Sequence, residues 1–345
     1  MKPAAVWPAV IAIAGAAWAG EHPLSLIGRG ELVCPVCGQV FETVVSTQTN
    51  TREGIDYDLF ARALGAQPEY YRISTCPACG YSGYPADFDP AVPLPADVRE
   101  RIRRELRAHV PADFTPDSDP RELDAADRYR LAILCYQWRQ KSDEALAWLH
   151  LRASWIARDE GAVLPPEPRL AKVLAFVERW RPDLEPGGNQ VDVEMRLAAR
   201  MAEAVDRGSF NRYQRPFVEL ALALILRRHG ENLQAAPMLD RLAGLELWPA
   251  GLREGIERMR GSIVLERGQQ SEAAARFESA LLSGQITGAN LGPARYLLGE
   301  LCRRLGRPAE AARWYGRALE TPGLPEELRA WAVRQRGSLK TGSAR

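Results

Sequence analysis

The chain has 345 residues, an apolar share of 46% and a formal net charge of +1. This composition excludes a wholly disordered chain, and the near-zero charge removes the simplest electrostatic argument for nucleic-acid binding. The length predicts two folded units, or three. Six cysteines are too few for a disulfide scaffold, so their spacing matters more than their number.

The first twenty residues read MKPAAVWPAVIAIAGAAWAG, in which Lys2 precedes an uncharged and mostly apolar run. Ala17-Trp18-Ala19 matches the small-x-small cleavage pattern, so we predict a signal peptide over residues 1–19 and an exported, periplasmic or secreted protein. The alternative is an uncleaved N-terminal membrane anchor, although the run is short for a helix that must span about 20 apolar residues. Contact with a membrane is expected only in that alternative.

Residues 20–90 are predicted to form a small β module. Residues 39–47 and 70–75 show β-type patterning, and a short helix is predicted over residues 57–64 with Asp56 as its N-cap. Asp56 and Asp58 are therefore interpreted as acids at a helix start, with Arg52 as an ion-pair partner, rather than as a catalytic pair.

Two CPxCG sequences carry the clearest chemical signal in the chain. The four cysteines of these sequences are Cys34, Cys37, Cys76 and Cys79. Proline fixes the backbone at each turn and the final glycine permits a positive φ, so each CPxCG loop can direct two sulfur atoms at one metal ion. Four thiolates are the tetrahedral donor set that Zn²⁺ prefers, and a sulfur-only set excludes Mg²⁺ and Ca²⁺. We predict a structural zinc site.

Two alternatives to zinc remain open at these cysteines. Iron is the metal alternative, because rubredoxins use the same CPxCG turn. Disulfides are the other, because export would permit them. Disulfides within each pair would resemble thioredoxin redox motifs, but no βαβ pattern surrounds either pair.

The sequence CPVCGQVFETVV, the segment TREGIDYDL and the sequence CPACGYSGYPADF together resemble an uncharacterised bacterial family, domain-of-unknown-function family 2225. The resemblance covers residues 32–90 well and the later residues more loosely. It implies paired CPxCG loops with an arginine and acidic residues between them, followed by helical repeats, and it supplies no activity. The matching positions are Cys34, Cys37, Phe41, Arg52, Asp56, Asp58, Tyr71, Cys76, Cys79, Gly80 and Tyr81. Members usually lack an export signal, so the N-terminus departs from the family pattern.

Residues 91–122 are predicted to form a linker with one helix over residues 96–108, and residues 123–338 a helical repeat domain. Net charge divides near this boundary, with −6 over residues 21–100 and +6 over residues 101–345. With a net charge of −6, residues 21–100 would repel phosphate backbones, so we expect no nucleic-acid partner.

The helical half contains three copies of a pattern aligned on Gly230, Gly268 and Gly306, which are 38 residues apart. Small residues occupy equivalent positions before and after each glycine, and a large apolar residue follows nine positions later. This resembles the tetratricopeptide repeat, in which small residues let two antiparallel helices approach closely. Residues 131–150 fit a degraded fourth copy, and a helix over residues 325–336 is predicted to cap the array.

Tetratricopeptide arrays bind partners in a groove lined by the first helix of each pair, and six residues fall at positions that this resemblance places there. They are Arg227, Arg228, Arg258, Tyr296, Arg303 and Arg304. Arginines there could clamp an acidic peptide or a C-terminal carboxylate, whereas the alternative is that they are ordinary solvated arginines. Cys302 and Cys135 are predicted to pack among the helices, and His229 to lie at the surface.

These expectations combine into an α+β protein in which a zinc-ribbon-like β module precedes an α-helical tetratricopeptide-like array. We find no catalytic motif and predict a non-enzymatic scaffold or adaptor that binds a protein or peptide through the repeats. The alternative is a redox or electron-transfer protein that uses the two CPxCG pairs as iron ligands or as switching dithiols.

Overall fold

The computed structural model describes residues 24–91, 94–184 and 188–342. Within these residues the chain divides into two compact units. The helical unit comprises Glu53–Asp56 and Ala157–Glu266. The mixed unit comprises residues 24–52, Tyr57–Ile156 and the residues from Arg267 onward.

Two small antiparallel sheets form the β part of the mixed unit. Strands β1 (Leu26–Val33) and β2 (Val40–Gln48) pair with Val33 opposite Val40, so the first CPxCG loop closes their hairpin. Strands β3 (Ser74–Thr75) and β4 (Ser82–Gly83) pair around the second CPxCG loop. Each pair of metal-ligand candidates is therefore the turn of a β-hairpin.

Helices make up the rest of the mixed unit. They are α1 (Ala96–Glu105), α2 (Ala125–Trp138), most of α3 (Asp143–Gly161), the second part of α8 (Ala250–Leu282), α9 (Leu291–Arg304), α10 (Pro308–Leu319) and α11 (Glu326–Gly342). A β carbon added at Gly299 of α9 would lie 2.8 Å from Tyr315 of α10. The small and large residues of the last sequence copy therefore contact each other across an antiparallel helix pair, as the repeat pattern predicts.

The helical unit is built from α4 (Pro168–Val177), α5 (Gln190–Asp206), α6 (Arg215–Arg228), α7 (Asn232–Ala243) and the first part of α8. Gly230 has φ +73° and ends α6, so that α7 can turn back against it. Ala223 and Leu239, the small and large residues of the first copy, are fully buried in the apolar core of this unit. The fold is α+β, and its helical array fits a repeat-like arrangement.

The middle copy differs from the helix pair that the repeat resemblance implies, because Gly268 lies inside the uninterrupted 33-residue helix α8. In the last copy, Gly306 has φ +78° and Pro308 occupies the first turn of the next helix. A glycine in a helix interior costs only about 1 kcal/mol, so a helix can continue through it. The middle copy therefore forms one long helix instead of a helix pair.

Two local predictions in the β module are also wrong. Residues 57–64 form no helix, so Asp56 is not an N-cap. Of residues 70–75, only Ser74–Thr75 are in a strand, since Pro68–Tyr71 form a 3₁₀ turn. The helix predicted over residues 96–108 is confirmed as α1, which continues as a 3₁₀ turn to His109. The tail helix is confirmed as α11.

The predicted signal peptide, residues 1–19, lies outside the described residues. Among the helices of residues 24–91, 94–184 and 188–342, none combines the length and the apolar character needed to cross a membrane.

Gly268 and Gly306 make a matched test of the difference between the two copies. Gly268→Ala should raise the free energy of unfolding by about 0.5–1 kcal/mol, because alanine favours the helix interior and an added β carbon meets no atom within 4 Å. Gly306→Ala should lower it by about 1 kcal/mol, because φ +78° is strained for alanine. Urea unfolding followed by circular dichroism measures both. Equal destabilisation by the two substitutions would contradict the continuous helix.

Candidate metal centre

The two CPxCG loops have the same backbone geometry. In the first, the amide of Gly38 donates to the carbonyl of Cys34 at 2.9 Å, and in the second the amide of Gly80 donates to the carbonyl of Cys76 at 2.8 Å. Gly38 and Gly80 have φ +78° and +80°, values that glycine adopts without strain. The equivalence of the loops lets each hairpin direct two sulfur atoms to a common point.

The four sulfur atoms of Cys34, Cys37, Cys76 and Cys79 all lie within 4.8 Å of one another. Two distances run between the loops, 3.6 Å from Cys34 to Cys79 and 3.6 Å from Cys37 to Cys76. A tetrahedral ion with metal–sulfur bonds of about 2.3 Å separates its ligands by about 3.8 Å. The spacing and the all-sulfur chemistry of the donor set therefore fit a thiophilic metal ion, although they do not separate zinc from iron.

Thiols of this cysteine cluster influence one another's pKa. Hydrogen bonding with Cys76 raises the pKa of Cys34, and hydrogen bonding with Cys34 raises the pKa of Cys79. Hydrogen bonding with Cys34 lowers the pKa of Cys76 to about 3. Negative charge on one sulfur thus opposes ionisation of its neighbours, and a bound cation would remove that opposition.

The cluster lies at the edge of an apolar core in the mixed unit. Cys34, Cys76 and Cys79 are buried, whereas Cys37 is exposed. Phe88 packs edge-on against both Phe41 and Tyr81, with ring centroids 5.5 and 5.1 Å apart, respectively. These aromatic contacts hold Phe88 against the first hairpin, through Phe41, and against the second, through Tyr81.

Cys135 and Cys302 are buried outside the cluster, as the sequence predicts. The thiol of Cys135 on α2 accepts a hydrogen bond of 3.4 Å from the amide of Ser82, just beyond the second loop. Burial raises the pKa of Cys135 to about 12, so this thiol stays protonated. Its role is therefore packing and hydrogen bonding.

Asp58 is fully buried in the mixed unit. Its carboxylate accepts a hydrogen bond of 3.2 Å from the indole of Trp155 and lies 3.5 Å from the guanidinium of Arg304. Arg304 is thus a cation beside Asp58, whereas Arg52 forms no ion pair among the described residues. These contacts of Asp58 are typical of a buried structural ion pair.

Asp56 is fully buried in the helical unit, where it contacts two cations. Arg158 donates to one oxygen at 3.0 Å, and the Nδ1 atom of His229 lies 2.6 Å from the other. The Nε2 atom of His229 lies 2.8 Å from Glu194, so the imidazole bridges two carboxylates. The expectation of a surface histidine is wrong, because His229 is only 2% exposed.

Glu266 on α8 extends this buried ion network. Arg158 donates to it at 2.8 Å, Asn232 donates to it at 2.8 Å, and Arg227 forms an ion pair with it. The sequence analysis did not find Arg158, although a signal was present. Arg158 follows Leu151 and Trp155 at helix spacing and so belongs to the buried face of α3.

Residues of the helical unit also contact Glu53–Asp56, a segment that lies between the two hairpins in the sequence. Arg228 donates to Glu53 at 2.6 Å. Asn189, the N-cap of α5, accepts from the amide of Ile55 at 3.1 Å and donates to its carbonyl at 2.7 Å. The segment Glu53–Asp56 is thus bound to the helical unit through both side chains and backbone.

The six residues predicted to line a partner groove are mostly engaged within the chain. Arg227, Arg304 and Tyr296 are buried, and the Tyr296 hydroxyl donates to the carbonyl of Tyr57 at 2.7 Å. Arg303 pairs with Glu300 at 2.7 Å. Arg228 contacts Glu53, as described above, and the exposed Arg258 donates to the carbonyl of Val163 at 2.8 Å. Each of these six side chains thus has a partner within its own unit, and a role in binding another chain stays a prediction.

Residues 29–184 match the model of a family described as "Uncharacterized protein conserved in bacteria (DUF2225)". The match begins in β1 and includes all four clustered cysteines, so the resemblance inferred from the CPxCG sequences is confirmed over this stretch. No curated protein and no solved structure matches the chain.

His229 should make stability depend on pH. Hydrogen bonding and attraction by Asp56 and Glu194 outweigh burial and raise its pKa. The stabilisation by protonated His229 is therefore complete below the ordinary histidine pKa of about 6.5 and is lost as pH rises through the raised value. His229→Gln should lower the free energy of unfolding by about 3 kcal/mol at pH 6, and by less in alkaline solution.

Urea unfolding of wild type and variant between pH 6 and pH 9 measures this difference. Arg158, Arg181 and Arg228 also lie near the two carboxylates, and they stay charged over this pH range. His109→Gln is the control, because His109 is exposed. A difference between wild type and His229→Gln that stays constant with pH would contradict protonation of His229 in the folded protein.

Proposed function

We propose that the four clustered cysteines hold one zinc ion as a structural centre in a non-enzymatic scaffold protein. The observation that carries this proposal is the convergence of Cys34, Cys37, Cys76 and Cys79 within 4.8 Å from two equivalent hairpin turns. Zinc is proposed before iron because divalent zinc binds a given donor set more tightly than ferrous iron does.

The donor set supports a structural role. Four protein ligands fill a tetrahedral coordination sphere, so no position is left for water or substrate. The strands of the second hairpin have only two residues each, Ser74–Thr75 and Ser82–Gly83. Two-stranded hairpins have marginal stability alone, so a metal that crosslinks both turns would supply folding free energy that their hydrogen bonds cannot.

The scaffold role is supported by the repeat-like helical array, since stacked helix pairs present extended surfaces to other chains. We propose a protein or acidic peptide as the partner. Because Arg227 and Arg304 are committed to buried ion pairs, the partner would contact other faces of the helices. Export through the N-terminal segment, with a membrane anchor as the alternative, remains part of the proposal.

Metal analysis of the purified protein tests the centre. We expect one zinc ion per chain, measured by inductively coupled plasma mass spectrometry. Cys37→Ser should weaken metal binding at least ten-fold, because it removes one of four thiolates. Cys37 is exposed, so the substitution disturbs little packing. Cys302→Ala is the control, because Cys302 is buried outside the cluster and should leave metal content unchanged.

Three outcomes would overturn the zinc proposal. Metal content unchanged in Cys37→Ser would remove the site. Stoichiometric iron with a red colour would favour the electron-transfer alternative. Disulfides among the four cysteines, detected by mass spectrometry of protein purified without reductant or chelator, would replace the metal centre by a redox function.

A further inference from the structure

Two arginines on one helical stretch each contact a different CPxCG loop. The Nε atom of Arg103 in α1 donates to the carbonyl of Val36, between Cys34 and Cys37, at 2.9 Å. One helical turn later, Nη1 of Arg107 donates to the carbonyl of Pro77, between Cys76 and Cys79, at 3.3 Å. The same guanidinium donates to the carbonyl of Phe114 at 2.9 Å, which fixes its position.

These two guanidinium groups contact carbonyl oxygens, whereas neighbouring arginines contact carboxylates. Within the described residues, neither Arg103 nor Arg107 forms an ion pair. Arg104, by contrast, pairs with Glu105 at 2.9 Å. Arg139, which donates to the Tyr81 hydroxyl beside the second loop, pairs with Asp87 at 2.9 Å. The positive charges of Arg103 and Arg107 are therefore not neutralised locally.

A divalent ion bound by four thiolates carries a net charge of about −2. Its ligands lie on loops whose carbonyls accept from Arg103 and Arg107, so two unneutralised cations face a complex of about equal and opposite charge. A hydrogen bond from a charged donor is stronger than one between neutral groups. The contacts can therefore orient the loops and offset the charge of the complex.

We propose that Arg103 and Arg107 are positioning residues of the metal centre, each holding one CPxCG loop and together supplying the positive charge that balances a tetrathiolate complex. The proposal rests on the metal-binding function proposed above. The role belongs to α1 and to the 3₁₀ turn that follows it, and neither the cysteine spacing nor the family match contains it.

The rate at which a chelating dye removes zinc from the purified full-length protein tests this role. Arg103→Gln/Arg107→Gln should release zinc at least ten-fold faster than wild type at low ionic strength. The difference should shrink in 1 M salt, because screening weakens the attraction that the substitution removes. Arg103→Lys/Arg107→Lys keeps the charges and should recover part of the slow release. Arg104→Gln is the matched control and should release zinc at the wild-type rate.

The outcomes separate this inference from the function on which it rests. A wild-type protein that holds no metal would overturn both. A metal-loaded wild type whose double glutamine variant releases zinc at the wild-type rate would overturn the role of the arginines alone. Faster release that is the same at low and high salt, with no recovery by lysine, would overturn the charge assignment, because it would show only a structural loss. The lysine variant keeps the question decidable if the glutamine variant misfolds.

Discussion

Four cysteine sulfur atoms within 4.8 Å of one another cannot all carry negative charge without a compensating cation. The geometry around the candidate centre follows from that constraint. Each CPxCG loop is closed by an amide-to-carbonyl hydrogen bond across the pair, and Gly38 and Gly80 permit the turn. Arg103 and Arg107 donate to one carbonyl of each loop and so bring positive charge close to the loops. The geometry of the loops thus brings four sulfur atoms close together, and the nearby arginines offset the negative charge of ionised thiolates.

A second constraint acts on buried carboxylates. Asp56 in the helical unit and Asp58 in the mixed unit are both fully buried, and an unpaired buried charge is strongly destabilising. Each acid recruits partners more than 90 positions away in sequence: Arg158 and His229 for Asp56, and Trp155 and Arg304 for Asp58. Arg304, one of the arginines expected to line a groove, is engaged in this way. The acidic segment between the hairpins is thus part of the folded core.

Local patterns in the sequence predicted what local geometry decides. The CPxCG spacing predicted the cysteine cluster, and the repeat pattern predicted that the small residue Gly299 and the large residue Tyr315 pack between two helices. The failures concern residues whose state depends on distant partners. Asp56 does not begin a helix, and its carboxylate contacts Arg158 and His229 instead of the backbone amides of a helix start. Gly268 aligns with Gly230 and Gly306 in the sequence, but it lies inside a helix whereas they follow one. The packing of distant residues decides whether a helix ends at a glycine or continues through it.

The apolar core around the cysteines shows how far the effect of a metal would extend. Cys34, Cys76 and Cys79 belong to one buried cluster with Ile102 of α1 and Leu131 of α2. The cluster contains residues of the predicted β module, of the predicted linker over residues 91–122 and of the helices that follow it. Loops held by a metal and helices that pack on them share this core, so displacement of the loops would expose apolar surface on α1 and α2. A metal ion bound by the four cysteines would therefore stabilise the β hairpins and the first two helices together.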